Sequence, residues 1–209
     1  MRLPSLCIAA LVSFFSGVAN ATVFSFNTDP FAGSDALTTP GRQVVGGEPS
    51  ITFDIAADVF AFDPAVFNVE NQVLFANDVV ANLPTSDVNI IVLLTTDNDS
   101  DPGTPFGAGN AANLIAAQIT EPGAGFFIYF NSGLDLPRLV YSTDLSDNTA
   151  DLKILARMTN LNGAAGLALL PTFTESNFAM VSSVPEPATL ALLGIGLAGL
   201  ALGRRKRAA

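Results

Sequence analysis

The chain has 209 residues, 49% of them hydrophobic, with 19 carboxylates against nine Lys and Arg, for a net charge of −10. It holds one Cys and no His or Trp. Ser-His-Asp triads and zinc sites built on His or Cys are therefore excluded, and the acidity argues against nucleic acid and anionic lipid as partners.

The first 21 residues read MRLPSLCIAALVSFFSGVANA. One early cation (Arg2), an apolar stretch from Leu6 to Val18 and small residues at Ala19 and Ala21 make the pattern of a secretory signal peptide, with cleavage after Ala21. Cys7 lies in the apolar stretch without a lipoprotein box, so it is discarded with the leader. The expected organisation is a signal peptide over 1–21, an extracytoplasmic domain over 22–183 and a C-terminal sorting region over 184–209. The middle segment, about 160 residues, suits one domain with its own core. It carries only Arg42, Arg138, Lys153 and Arg157 against 18 carboxylates, Glu186 being the nineteenth, a net charge of −14. With no Cys left after processing, stability must come from apolar burial.

Within the domain, short β-branched and aromatic runs predict strands at Val23–Phe26, Ile51–Ile55, Val59–Phe62, Val66–Val69, Val73–Val80 and Val88–Thr95. Further runs follow at Phe126–Phe130, Leu139–Ser142, Leu152–Met158, Gly166–Leu170 and Phe178–Ser182. Turn-rich clusters such as GGEPS, NLPTSD, EPGAG and NLNG separate them. A spacing of roughly ten residues predicts an all-β fold, an antiparallel β-sandwich with a barrel as the alternative. Ile51 to Ile55 alternates as a half-buried strand, and Ile90 to Leu94 reads as a central strand covered on both faces. Only Ala111–Ile119 has helical propensity over any length, with Asn110 as an N-cap, and the same residues also suit a strand.

Several clusters invite a chemical reading. In TTDNDSDPGT, Asp97, Asp99 and Asp101 alternate along a loop, as carboxylates do at the first positions of calcium loops. Pro102 stands where such loops want Gly, and the twelfth position is Ala108, so a site here would bind weakly; a plain solvated turn is the alternative. The run GFFIYFNS places Phe126, Ile128 and Phe130 on one face and Phe127 and Tyr129 on the other, a strand covered on both sides or a platform for sugars. Asp144, Asp147 and Asp151 form a second acidic group, read as a solubilising loop. Paired carboxylates also leave a glycoside hydrolase open as a third reading, but no motif marks one, and the chain is read as a non-enzyme.

The C-terminal stretch is VPEPATLALLGIGLAGLALGRRKRAA. Ala188 to Gly203 carries no charge, and as a helix its 16 residues would cover roughly 24 Å against a ~30 Å hydrocarbon core. Such a span inserts if the flanks snorkel or the bilayer thins. Arg204, Arg205, Lys206 and Arg207 would stop transfer and keep the basic end cytoplasmic, with the acidic domain outside. Pro185 and Pro187 hold the preceding backbone extended, and Glu186 adds a charge there.

Pro185-Glu186-Pro187, the apolar span and the basic cluster together resemble the PEP-CTERM sorting signal of Gram-negative bacteria. The same kind of tail also carries the label of an ice-binding protein C-terminal domain. Ice binding calls for a flat, regular Thr array, whereas Thr38-Thr39 and Thr95-Thr96 are isolated pairs. The resemblance implies recognition by an exosortase, cleavage near Pro185–Pro187, and a protein held at the inner membrane with its domain outside, then passed to the cell surface or beyond. Family members occur in bacteria that make extracellular polysaccharide and biofilm. The expected role is that of an exported structural or adhesive surface protein, associated with polysaccharide; the alternative is a calcium-dependent binding module.

Overall fold

The computed structural model describes residues 21–181. Residues 1–20 of the leader, the sorting residues 185–187, the span 188–203 and the basic cluster 204–207 lie outside the described residues. Among the described residues there are ten strands and three α-helices: β1 (Val23–Phe26), β2 (Val44–Val45), β3 (Ser50–Ile51), β4 (Val59–Phe62), α1 (Pro64–Phe67), β5 (Phe75–Asp78), β6 (Ile90–Leu93), α2 (Ala108–Gln118), β7 (Gly125–Asn131), β8 (Leu136–Ser142), β9 (Leu152–Met158), α3 (Gly163–Leu169) and β10 (Phe178–Met180).

The strands form a three-stranded sheet in the order β1-β4-β10 and a seven-stranded sheet in the order β2-β9-β8-β7-β6-β5, with β3 also pairing β9. Two sheets face each other, as a sandwich requires, but the antiparallel expectation is corrected. Only β7–β8 and β8–β9 are antiparallel; the pairings β1–β4, β4–β10, β2–β9, β3–β9, β5–β6 and β6–β7 are parallel. The large sheet is therefore mixed, and parallel neighbours need crossovers rather than hairpins.

The fold is also not all-β. The crossover from β6 to β7 runs through α2, so the segment left open between helix and strand is a helix. Ala108, Ala111, Ala112 and Ile115 are its buried residues, spaced as one face of an α-helix. Gly107, not Asn110, is the N-cap; Asn110 sits one turn in, and its Oδ1 accepts from the Gly107 N–H at 3.1 Å. Two expected strands are helices. Val66–Val69 falls in α1 and its cap, where Asp63 accepts from the Ala65 N–H, Pro64 opens the helix and Asn68 ends it at φ 51°. Gly166–Leu170 falls largely in α3. The half-buried strand from Ile51 shortens to Ser50–Ile51, although the alternation persists: Phe53 is buried while Thr52 and Asp54 are exposed.

The central strands split the core in two. Phe126, Ile128 and Phe130 join Ile90, Val92, Leu139 and Tyr141 under the small sheet, while Phe127 and Tyr129 join Ile91, Leu93 and Val140 under α2. Three layers result: small sheet, large sheet, helix. The first interface is dense in rings. Phe62 of β4 stacks on Phe126 of β7 with centroids 3.7 Å apart, and Phe53 stacks on Phe60 at 4.2 Å. Such pairs add about 0.5–1.5 kcal/mol each beyond area burial. The central strand expected at Ile90–Leu94 is fully buried over Ile90–Leu93.

Candidate functional site

The parallel strands β5, β6 and β7 bring their carboxyl ends to one side of the large sheet, the side where open α/β sheets place ligands. The acidic loop follows β6 there. Its carboxylates turn onto their own backbone. Asp97 Oδ1 accepts from the N–H groups of Asp99 (3.0 Å) and Ser100 (3.2 Å), Asp99 Oδ1 from Asp101 (3.0 Å), and Asp101 Oδ1 from Gly103 (2.8 Å). Asp is favoured in such turns for this reason. The Asp99 N–H, helped by those of Ser100 and Asn98, holds the Asp97 carboxyl below its usual range. Among the described residues no three His, Cys, Asp or Glu side chains are grouped so as to hold a metal ion. Asp97, Asp99 and Asp101 thus share a loop without converging on one point.

The second acidic group lies in the β8–β9 turn, at the opposite end of the strands, and acts as a latch. Asp151, 8% exposed, accepts from the Leu37 N–H at 2.7 Å and the Gln43 N–H at 2.6 Å. Asp144 holds Ser146 and Gly123, and Asp147 holds Thr149 through its N–H and hydroxyl. Those two Thr149 bonds, with the Arg42 charge, keep Asp147 below its usual range. Arg42 crosses the same region, donating to the carbonyls of Ala150 and Gly109 and to Asn113 Oδ1. The 36–43 segment, the β8–β9 turn and α2 are thereby tied together.

Sequence reasoning missed the ion cluster at Glu48. This side chain, 1% exposed, accepts from Arg138 of β8 and from Arg157 of β9, the latter at 2.8 Å and 3.1 Å. Burial alone would push the Glu48 carboxyl up. Its own backbone N–H, Arg138 and Arg157 outweigh that and hold it down. The signal was scarcity: a domain with four cations spends two of them on one carboxylate.

Two clefts remain. One, about 150 Å³, lies at the amino ends of β5 to β7 between Glu70, Asp87 and Glu121, and is smaller than small-molecule sites of about 300–1,000 Å³. Its buried Asn89 is satisfied, accepting from the Leu74 N–H and donating to the Gln72 carbonyl. The other, about 550 Å³, has an apolar floor of Phe53, Leu161 and Leu169 and a single carboxyl, Asp54, in its lining. Paired-carboxylate chemistry needs two. The aromatic run of β7 is buried throughout, so it presents no platform to sugars.

Compared with models of protein families, the chain matches the PEP-CTERM protein-sorting motif over residues 183–207. The chain therefore carries a PEP-CTERM sorting motif, which implies an exported protein processed by an exosortase and sorted to the cell envelope. No curated protein and no solved structure matches the chain. Among the described residues no helix is long and apolar enough to cross a membrane.

Proposed function

We propose that residues 22–183 are a non-catalytic surface or matrix module, structural or adhesive, displayed outside the cell beside extracellular polysaccharide. The observation that carries this reading is the sorting motif that begins two residues after Val181, where β10 has just ended. The tail thus leaves directly from an edge strand of a folded domain. The absence of His and Cys from the mature segment supports a structural role over nucleophilic or zinc-based catalysis. Before processing, residues 188–203 hold the domain at the inner membrane, and Arg204, Arg205, Lys206 and Arg207 keep the last residues in the cytoplasm.

The test is replacement of Pro185-Glu186-Pro187 by Ala-Ala-Ala in a host that has an exosortase. The wild-type chain is expected to shorten and reach the surface or medium, and the variant to stay membrane-bound at its longer size. Equal size and location for both would remove the sorting reading.

A further inference from the structure

The backbone nitrogen of Thr22 donates to Asp58 Oδ1 at 2.7 Å. Asp58 is 5% exposed and sits just before β4, and its Oδ2 accepts from the Asp54 N–H at 2.8 Å. The Thr22 carbonyl in turn accepts from the Val59 N–H at 2.9 Å. Thr22 is therefore clamped at the start of the β1–β4 pairing, with its nitrogen aimed at a nearly buried carboxylate.

Among the described residues no cation pairs with that carboxylate. All four cations of the 22–183 segment are engaged elsewhere: Arg138 and Arg157 on Glu48, Arg42 on the Ala150 and Gly109 carbonyls, and Lys153 on the Gly46 carbonyl. Among the described residues its side-chain donors are two neutral backbone N–H groups, which leave room for a charged partner.

We propose that hydrolysis of the Ala21–Thr22 bond by a signal peptidase supplies the missing partner, the new Thr22 α-ammonium, which forms an ion pair with Asp58 in the mature protein. Water adds across the peptide bond; Ala21 departs as a carboxylate, and the Thr22 nitrogen takes up protons to become the ammonium. The donor and acceptor are already at charge-assisted distance, so no rearrangement is needed. Processing then does more than free the domain, because it adds an ion pair that the precursor lacks. The inference rests on the export reading above.

An opposite charge this close favours the protonated amine, so its pKa should rise by ~1 or more above the usual ~7.7–8.0 of an α-amino group. With the folded value raised, the added stability is fully present below about pH 8 and is lost as pH climbs through the raised value.

The experiment uses the full chain expressed with its own leader in a Gram-negative host. The N-terminal residue of the exported protein is identified by mass spectrometry. Its α-amine is then ¹³C-methylated, which preserves charge, and titrated by NMR. Thr22 at the terminus and a raised amine pKa that returns to about 8 in Asp58→Asn are expected. A terminus at another residue, or a wild-type amine titrating at or below about 8, would overturn the proposal. The wild-type titration decides the matter alone if Asp58→Asn does not fold. A chain that keeps its leader would sink the export reading as well, which separates the two failures.

Discussion

Arg157 Nη2 lies 2.8 Å from Glu48 Oε1, although 109 positions separate the two residues in the chain. The contact fastens the loop between β2 and β3 across β9, with Arg138 closing the same carboxylate from β8. Replacing Glu48 by Gln leaves two guanidiniums facing a neutral amide. A broken buried pair costs about 3–5 kcal/mol, and the partial exposure of Arg157 lowers the expectation to about 2–4 kcal/mol, read by urea unfolding. Because Glu48 is held below its usual value, its contribution is present above about pH 4.5 and disappears as pH falls through the depressed value. The stability of the Gln variant should therefore fall less on acidification than that of the wild type.

Tyr141 predicts an alkaline counterpart. Burial, with the charge of Asp29 behind it, pushes its phenol up to about 12, and the hydroxyl donates to the Phe67 carbonyl at 2.7 Å. The folded state thus prefers the protonated phenol. That preference is fully present below the unfolded value of about 10 and is lost between there and about 12. Tyr141→Phe should cost about 1 kcal/mol at neutral pH and flatten the decline in melting temperature between pH 9.5 and 11.5. An unchanged alkaline slope would contradict the assignment.

Gly166 sits in α3 against the chain that precedes the helix. A Cβ there would meet the Leu161 carbonyl oxygen at 1.8 Å, a backbone atom that cannot rotate away. Helix propensity favours Ala by about 1 kcal/mol, but overpacking costs about 1–3 kcal/mol and more where backbone must shift. Gly166→Ala should therefore destabilise on balance, and hydrogen exchange should show the loss first around residues 161–170.

The acidic loop predicts insensitivity to calcium. The Oδ1 atoms of Asp97, Asp99 and Asp101 are each taken up by N–H groups two or three residues on. Millimolar calcium followed by chelator should leave the melting temperature within about 1 °C. A ligand of the folded state must raise it, so a larger rise that Asp99→Asn abolishes would make the loop a cation site.

How far the sequence discloses this fold depends on what each pattern encodes. Alternation in Phe126–Phe130 reports two covered faces, and both faces are filled. Alternation is blind to strand direction, so the same runs fit parallel and antiparallel neighbours equally. Connection length is the better guide: the 31 residues between Leu93 and Gly125 were room for a crossover helix. That helix stayed ambiguous because its buried face is largely Ala, which also fits a strand. In Gly166–Leu170, alternating Gly, Leu, Ala and Leu imitated a strand, although Gly163 and Gly166 belong to a short helix. The sorting residues were legible because they are contiguous. Glu48 was not, since its partners come from distant strands, and neither was Asp58, whose carboxylate reaches Thr22 across 36 positions.

The small sheet also sets how the molecule bears a load. β1, β4 and β10 run the same way, and β10 delivers the chain to the tail, its last ladder bond running from the Val181 N–H to the Phe62 carbonyl at 2.8 Å. A pull along the strand from the tail strains the β4–β10 bonds together, in shear, rather than opening them singly like a zip. The amino end of β1 lies at the opposite end of the sheet. A domain tethered by that tail would carry the load through β4 and β10 with the start of β1 on the far side.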